Sequence, residues 1–150
     1  MTSKGQPPAG PFCYNCVMTK YWEPRRWFPF REALERLFGR GYGGLYWIRL
    51  PDYMKAIEYP RGSSSIVYIG QSANLYRRLN EHRQKRTRTG EEIAKWARET
   101  GIGNPWRFLE VGVEILLVSS EELRQEEERL LKAFVAKFGS APKFNGVVTF

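Results

Sequence analysis

The chain has 150 residues, with 24 Lys plus Arg against 16 Asp plus Glu, a formal net charge of +8 and a pI near 9.7. That length fits one domain, and 42% hydrophobic with 15% aromatic residues is enough to fill a core, which excludes disorder for most of the chain. Two cysteines exclude a disulfide framework, and the longest apolar stretches, such as Ile115 to Val118, fall far short of the ~20 residues that cross a bilayer. The opening MTSKGQPPAG carries no hydrophobic signal region, so the sequence predicts a soluble, intracellular (cytoplasmic) protein with no membrane partner. The positive excess favours a polyanionic partner, because each Lys or Arg set against a phosphate releases a condensed counterion. The plainer alternative is that the charge only keeps a small protein soluble.

In chain order, residues 1–11 are rich in Gly and Pro without an apolar period and read as a flexible tail. Residues 12–28 are dense in aromatics and end in the basic WEPRRW. Phe30, Leu34, Leu37 and Phe38 then recur at helical spacing, predicting a helix that stops at Gly39 or Gly41. Gly44 to Leu50 reads as a strand and Ser64 to Ser72 as a second. Between them two prolines and a glycine predict a long excursion in place of a tight hairpin. A helix from Ala73 to about Lys85 follows, with Ser72 or Asn74 available as its cap, then a basic loop over residues 83–90 and a short helix from Glu91 to Thr100 that buries Ile93, Trp96 and Ala97. Val111 to Val118 reads as a buried strand. Ser119 or Ser120 caps a long helix running to Phe138, stopped by Gly139, and Pro142 to Val148 closes the chain. The order implies an α+β domain, a small sheet covered by helices.

Three constellations could carry chemistry. On the long C-terminal helix, at about 100° per residue, Glu127 falls about 40° from Leu123, inside the stripe of Leu123, Leu130, Leu131, Phe134 and Phe138. Glu126 and Glu128 fall on the flanks, toward water. A carboxylate facing a core needs a partner, so Glu127 is either a metal ligand or half of a buried ion pair with an arginine. On the helix after the second strand, Arg78 and His82 stand four residues apart beside an inward face of Leu75 and Leu79. They could clamp a phosphate or move a proton, or form an ordinary surface pair. Arg77, Arg83, Lys85, Arg86 and Arg88 surround them, which suits a nucleic-acid backbone as well as a solvated face. Strand pairing could bring Tyr46 and Tyr68 to one face, although either alone reads equally as a core tyrosine.

Gly44-Leu45-Tyr46, then Tyr68-Ile69-Gly70, Arg78, His82, Glu127 with Leu130-Leu131, and Pro142-Lys143-Phe144-Asn145 together resemble the GIY-YIG nuclease superfamily, in its order, from residue 44 to about 147. The resemblance implies a three-stranded antiparallel sheet flanked by helices, a nuclease domain over residues 44–150 behind an extension over residues 1–43, and hydrolysis of DNA phosphodiesters with one Mg²⁺ or Mn²⁺. It implies Glu127 as the metal ligand, and Tyr46 as general base or water-positioning group, its pKa depressed by the cation-rich site. Arg78 would offset charge on the pentacovalent phosphorus, Tyr68 would bind the phosphate or line the site, and His82 would bond Tyr46 or share proton transfer. Gly44, Gly70 and Asn145 would support the site.

Departures from the family pattern are also visible. Twenty-one residues separate Tyr46 from Tyr68, about twice the usual number, so the connection carries an insertion that would touch DNA or form an interface. Gln71-Ser72 stands where many relatives have a lysine. The extension and the insertion resemble the stand-alone restriction endonucleases of the superfamily more than its repair enzymes. The rivals are a structure-specific repair or recombination nuclease, and a nucleic-acid-binding module that keeps the fold without cutting. With one active site per chain, a homodimer would cut both strands at once, and sequential nicking would serve as well. Cys13 and Cys16 have the spacing of half a zinc site or a redox pair, but lacking a second such pair they read as ordinary thiols.

Overall fold

The computed structural model describes residues 23–146. Strand β2 (Gly44–Arg49, GLYWIR) occupies the centre of the sheet. Its side chains alternate between two covered faces, and every residue from Gly44 to Ile48 is buried. On one side it pairs antiparallel with β5 (Ile66–Ser72), setting Tyr46 opposite Gly70 and Ile48 opposite Tyr68. On the other it pairs antiparallel with β6 (Glu110–Ile115), setting Tyr46 opposite Val113. The three expected strands are joined by a fourth, β1 (Phe28–Pro29), which pairs with Val111 and Glu110 and gives the order β1-β6-β2-β5.

Three helices cover the face to which Tyr46 and Ile48 point: α1 (Phe30–Leu37), α2 (Leu75–Arg83) and α3 (Arg88–Thr100). Phe30, Leu37, Leu75, Leu79 and Ile93 meet the sheet there. Helix α4 (Ser120–Phe138) covers the opposite face, with Leu130, Phe134 and Phe138 against Leu45, Trp47 and Ile69. Local chemistry sets the helix ends. Asn74 caps α2 by accepting from the Arg77 N–H at 3.0 Å, and Ser119 with Glu122 forms a reciprocal capping box at the start of α4. Gly139, at φ 92°, supplies the left-handed turn that ends α4.

Besides the added strand β1, the structure departs from the sequence reading in three places. First, α3 begins at Arg88, capped by Thr87, so the expected basic loop shrinks by several residues. Second, β6 starts at Glu110 and stops at Ile115; Leu117 lies 89% exposed, since no neighbouring strand continues alongside it. Third, the excursion between β2 and β5 contains a small hairpin, β3 (Ile57–Tyr59) with β4 (Gly62–Ser64). That hairpin is fastened to α4. The Arg61 guanidinium donates to the carbonyls of Val135 and Ala136, the Arg61 N–H to that of Phe138, and the Tyr59 ring packs edge-on to Phe134. Tyr59 Oη donates to the Ile66 carbonyl at 2.8 Å and accepts from the Lys143 N–H at 3.0 Å, tying the hairpin to the C-terminal segment.

Candidate active site

Tyr46 and Tyr68 come from adjacent strands, and their ring centroids lie 5.7 Å apart. The glycine between them makes this possible: a Cβ on Gly70 would come within 2.8 Å of Tyr46 Oη and 2.7 Å of the Tyr68 ring. Gly44 is required for a similar reason, because a Cβ there would meet the Glu114 carbonyl oxygen at 2.1 Å across the β2–β6 ladder. Thus both glycines permit close approach of backbone or rings.

The third group is His82, on the inward face of α2 and 1% exposed. Its Nε2 lies 2.7 Å from Tyr46 Oη, and its Nδ1 lies 2.6 Å from Thr87 Oγ1. Thr87 in turn accepts from the Gly90 N–H at 2.9 Å as the cap of α3. Gly90 has no room for a side chain, since a Cβ there would lie 2.2 Å from the His82 carbonyl oxygen. Both ring nitrogens of the buried imidazole therefore have partners, as burial of a polar ring demands. Burial, with the Arg78 charge adding to it, lowers the His82 pKa to about 4, so the ring is neutral near pH 7.

Tyr46 is 0% exposed. Burial first, then the neighbouring Tyr68 phenol, raises its pKa well above the ordinary phenol value, while Arg78 opposes the shift. The expected depression is thereby corrected: one guanidinium does not outweigh the removal of the phenolate from water. Tyr68 and Arg78 are only half-buried, and Arg78 pairs with Glu81 at 3.4 Å.

The expected inward carboxylate also needs correcting. Glu127 is half-buried, whereas Glu126, placed on the flank by periodicity, is 7% exposed and paired with Arg129. Helical angle does not separate the two, since Glu126 and Glu127 lie about 60° and about 40° from the Leu130–Phe134 centre of the stripe; burial follows instead from what covers each part of it. Glu127 makes no hydrogen bond or ion pair among the described residues. Its pKa is raised to about 7 by burial, against the pull of Arg78. Arg78 is thus the cation whose field reaches Tyr46, His82 and Glu127 alike.

Asn145 fastens the C-terminal segment beside these groups. Its Oδ1 accepts from the Ile69 N–H at 3.1 Å, and its Nδ2 donates to the Ile69 carbonyl at 2.8 Å. Of the basic residues around the site, Arg77, Lys85 and Arg86 are exposed. Arg83 donates to Asn80 Oδ1, and Arg88 donates to the Asn145 carbonyl at 3.2 Å, so these two hold protein groups as well as facing solvent. Cys13 and Cys16 lie outside the described residues. Sequence reasoning missed Thr87. A cap reading of that threonine, in place of Glu91, as the start of α3 would have set its hydroxyl near His82.

Among the described residues no group of three His, Cys, Asp or Glu side chains could hold a metal, and no helix is long and apolar enough to cross a membrane. A single carboxylate nevertheless fits a hard divalent cation of the kind that takes its other ligands from phosphate and water. Glu127 is such a carboxylate: partly exposed, poorly solvated and unpaired among the described residues. Neither the curated proteins nor the solved structures contain a match to the chain. A family model described as the GIY-YIG catalytic domain matches residues 43–133, a span that holds Gly44, Tyr46, Tyr68, Gly70, Arg78, His82 and Glu127. The chain therefore belongs to the GIY-YIG family, and its matched domain is that of a nuclease, a phosphodiester hydrolase acting on nucleic acid.

Proposed function

We propose that this protein is a divalent-metal-dependent DNA endonuclease of the restriction type, with residues 44–150 as the nuclease unit and residues 1–43 as an extension. The observation that carries the chemistry is the 2.7 Å contact between Tyr46 Oη and a neutral, buried His82. In this reading the His82 Nδ1–H donates to Thr87 Oγ1, whose second lone pair accepts from Gly90, and Nε2 is left as the acceptor for the Tyr46 O–H. When Tyr46 takes a proton from the attacking water, its own proton passes to Nε2, and no free phenolate is needed. That fits a phenol whose pKa is raised.

Arg78 acts on the charge that grows at phosphorus, where a guanidinium offers paired donors. Glu127 would hold Mg²⁺ or Mn²⁺, which supplies charge neutralisation at the scissile phosphate and at the leaving oxygen. Substrate meets Tyr68, Arg78 and Glu127 first, because these are the half-exposed members of the group. The Tyr68 ring then has to shift for water to reach Tyr46, which is closed to solvent. Arg77, Arg83, Lys85, Arg86 and Arg88 contact the DNA backbone beyond the scissile phosphate, and Gly44, Gly70 and Asn145 keep the strands in place.

The test is plasmid cleavage by the purified protein in Mg²⁺ or Mn²⁺, beside Glu127→Ala. Cleavage by the parent at fixed sequences, lost by about 10²–10³-fold in the variant, is expected for removal of a group that stabilises the transition state. Equal cleavage by the variant would remove Glu127 from the mechanism. Salt-sensitive DNA retention by both proteins without nicks would instead favour a non-cleaving module. Ends fixed by DNA shape and not by sequence would favour repair or recombination over restriction.

A further inference from the structure

We propose that the cleft between α1, α2 and the short 3₁₀ turn Pro105–Arg107 binds one unstacked base of the substrate strand together with its phosphate. The proposal rests on the nuclease reading above and names a contact beyond its scissile phosphate. The cleft has a volume of about 370 Å³. That suits a single nucleotide and is too small for a duplex. Its walls carry two kinds of group. Tyr76 and Trp106 are half-buried aromatics, each held by a second ring: Trp106 lies 4.8 Å from Phe30, and Tyr76 meets Phe38 edge-on at 5.3 Å. Aromatic faces held in this way accept a stacked base of any sequence.

The polar wall is cationic. Arg31, Arg83 and Arg107 line the cleft against one acid, Glu35, whose pairing with Arg31 at 3.5 Å is solvent-exposed on both sides. Surface pairs of that kind are weak, so a phosphate can compete for the guanidinium. Two amides complete it. Asn80 uses its oxygen to accept from Arg83 and Asn104 uses its oxygen to cap Trp106 at 3.1 Å, so each offers its NH₂ to a base edge.

Position links the cleft to the cleavage site. Tyr76, Asn80 and Arg83 fall on one flank of α2, and Arg78 falls on the other, with buried His82 between them. A helix is ~10–12 Å across, so the cleft lies about one helix width from the phosphate at Arg78, within reach of the same strand. One wall of the cleft, Phe30, Arg31, Leu34 and Glu35, is built from α1, which precedes the matched span of residues 43–133. The contact is therefore a feature this chain adds to the family core.

The test uses the full chain without metal, titrated into a fluorescein-labelled single-stranded 12-mer and a blunt duplex of the same sequence. Tyr76→Leu and Arg107→Ala should each weaken the single strand about fivefold or more, the size of one lost stacking or phosphate contact, while Tyr76→Phe, which keeps the ring, binds as the parent does. Circular dichroism melts ensure that the variants are folded. Affinities within twofold of the parent for both variants would overturn the proposal. So would a deoxynucleoside monophosphate that binds as tightly as the 12-mer, because the cleft would then serve a free nucleotide. Plasmid cleavage read in parallel separates the two readings: a parent that cuts beside unchanged 12-mer affinities removes only the cleft. A parent that never cuts while the variants lose the 12-mer removes only the nuclease chemistry.

Discussion

The two faces of the sheet bury ionisable groups in opposite ways. On the α2 side His82 has a partner at each nitrogen, Tyr46 on one and Thr87 on the other, and the chain of contacts ends in a helix cap. On the α4 side Glu126 pairs with Arg129 through one oxygen, and its other oxygen has no hydrogen-bond partner among the described residues. Glu127, the next residue, has no partner of either kind there. A saturated network rigidifies what it contains, whereas an unpaired, half-buried carboxylate retains a desolvation cost that a cation can relieve. The fixed half of the site thus suits proton handling and the open half suits metal and phosphate.

The comparison breaks most sharply at the tyrosines. Tyr46→Phe should lower turnover by about 10²–10⁴-fold, the range for a general base, with DNA affinity in a metal-free gel shift unchanged. Tyr68→Phe should cost less, because its phenol lines the site without a bond to His82. If Tyr68→Phe is the more damaging, the half-exposed phenol is the base and Tyr46 only holds the imidazole.

Thr87→Val removes the α3 cap and leaves Nδ1 of a buried ring unsatisfied, so it should lower stability by about 2 kcal/mol in urea unfolding. Thr87→Ser restores both contacts and should recover most of that loss. A Val variant as stable as the parent would show that the Thr87 end of the network is dispensable.

The two faces should also respond oppositely to pH. Without metal, the folded protein holds the Glu127 proton up to about pH 7, whereas the unfolded chain releases it near 4.5, so this group's contribution to stability falls as pH rises through that window. His82, at about 4 when folded and 6.5 when unfolded, contributes stability that rises with pH between those values. The slopes oppose each other. Relative to the parent, Glu127→Gln should therefore show stability rising more steeply from pH 4.5 to 6.5, and His82→Gln should show it falling. Parallel curves for all three proteins would remove both groups from the titration.

The smallest effect concerns the connection from α2 to α3. Lys85 sits at φ 60°, a left-handed conformation that costs a lysine more than a glycine. Lys85→Gly should raise stability by about 0.5–1 kcal/mol, less the added freedom of the unfolded chain, and should weaken DNA binding slightly if the lysine meets a phosphate.

Much of this was legible in the sequence. The strands around Tyr46 and Tyr68 follow from β-branched and aromatic runs, and α4 follows from its stripe and capping box. Periodicity gives the mean direction of that stripe, but burial depends on what covers each part of it. Phe134 and Phe138 are covered by Tyr59 from the inserted hairpin, while Glu127, two turns earlier at nearly the same angle, remains half-exposed. The hairpin itself was hidden because its hold on α4 comes from Arg61 and two distant carbonyls, a contact that local pattern does not encode. The 1–43 extension read as separate from the core, yet Phe30 and Leu37 lie in the same cluster as Tyr46, a burial that follows from tertiary packing alone. The buried state of Tyr46 was likewise beyond reach, since one spacing serves both an exposed phenol and an enclosed one.

Asn145 has a consequence outside catalysis. Strand β5 is the last in its sheet, and an uncovered last strand offers backbone donors and acceptors to any other chain that comes alongside. Here the Phe144 N–H donates to the Val67 carbonyl, and the Asn145 amide takes both the N–H and the carbonyl of Ile69. One side chain imitates a neighbouring strand for a single residue and then stops, which covers the middle of that edge without extending the sheet. Losing that amide would therefore show itself first in solubility at high concentration, as β-rich aggregates seeded at the outer edge of β5.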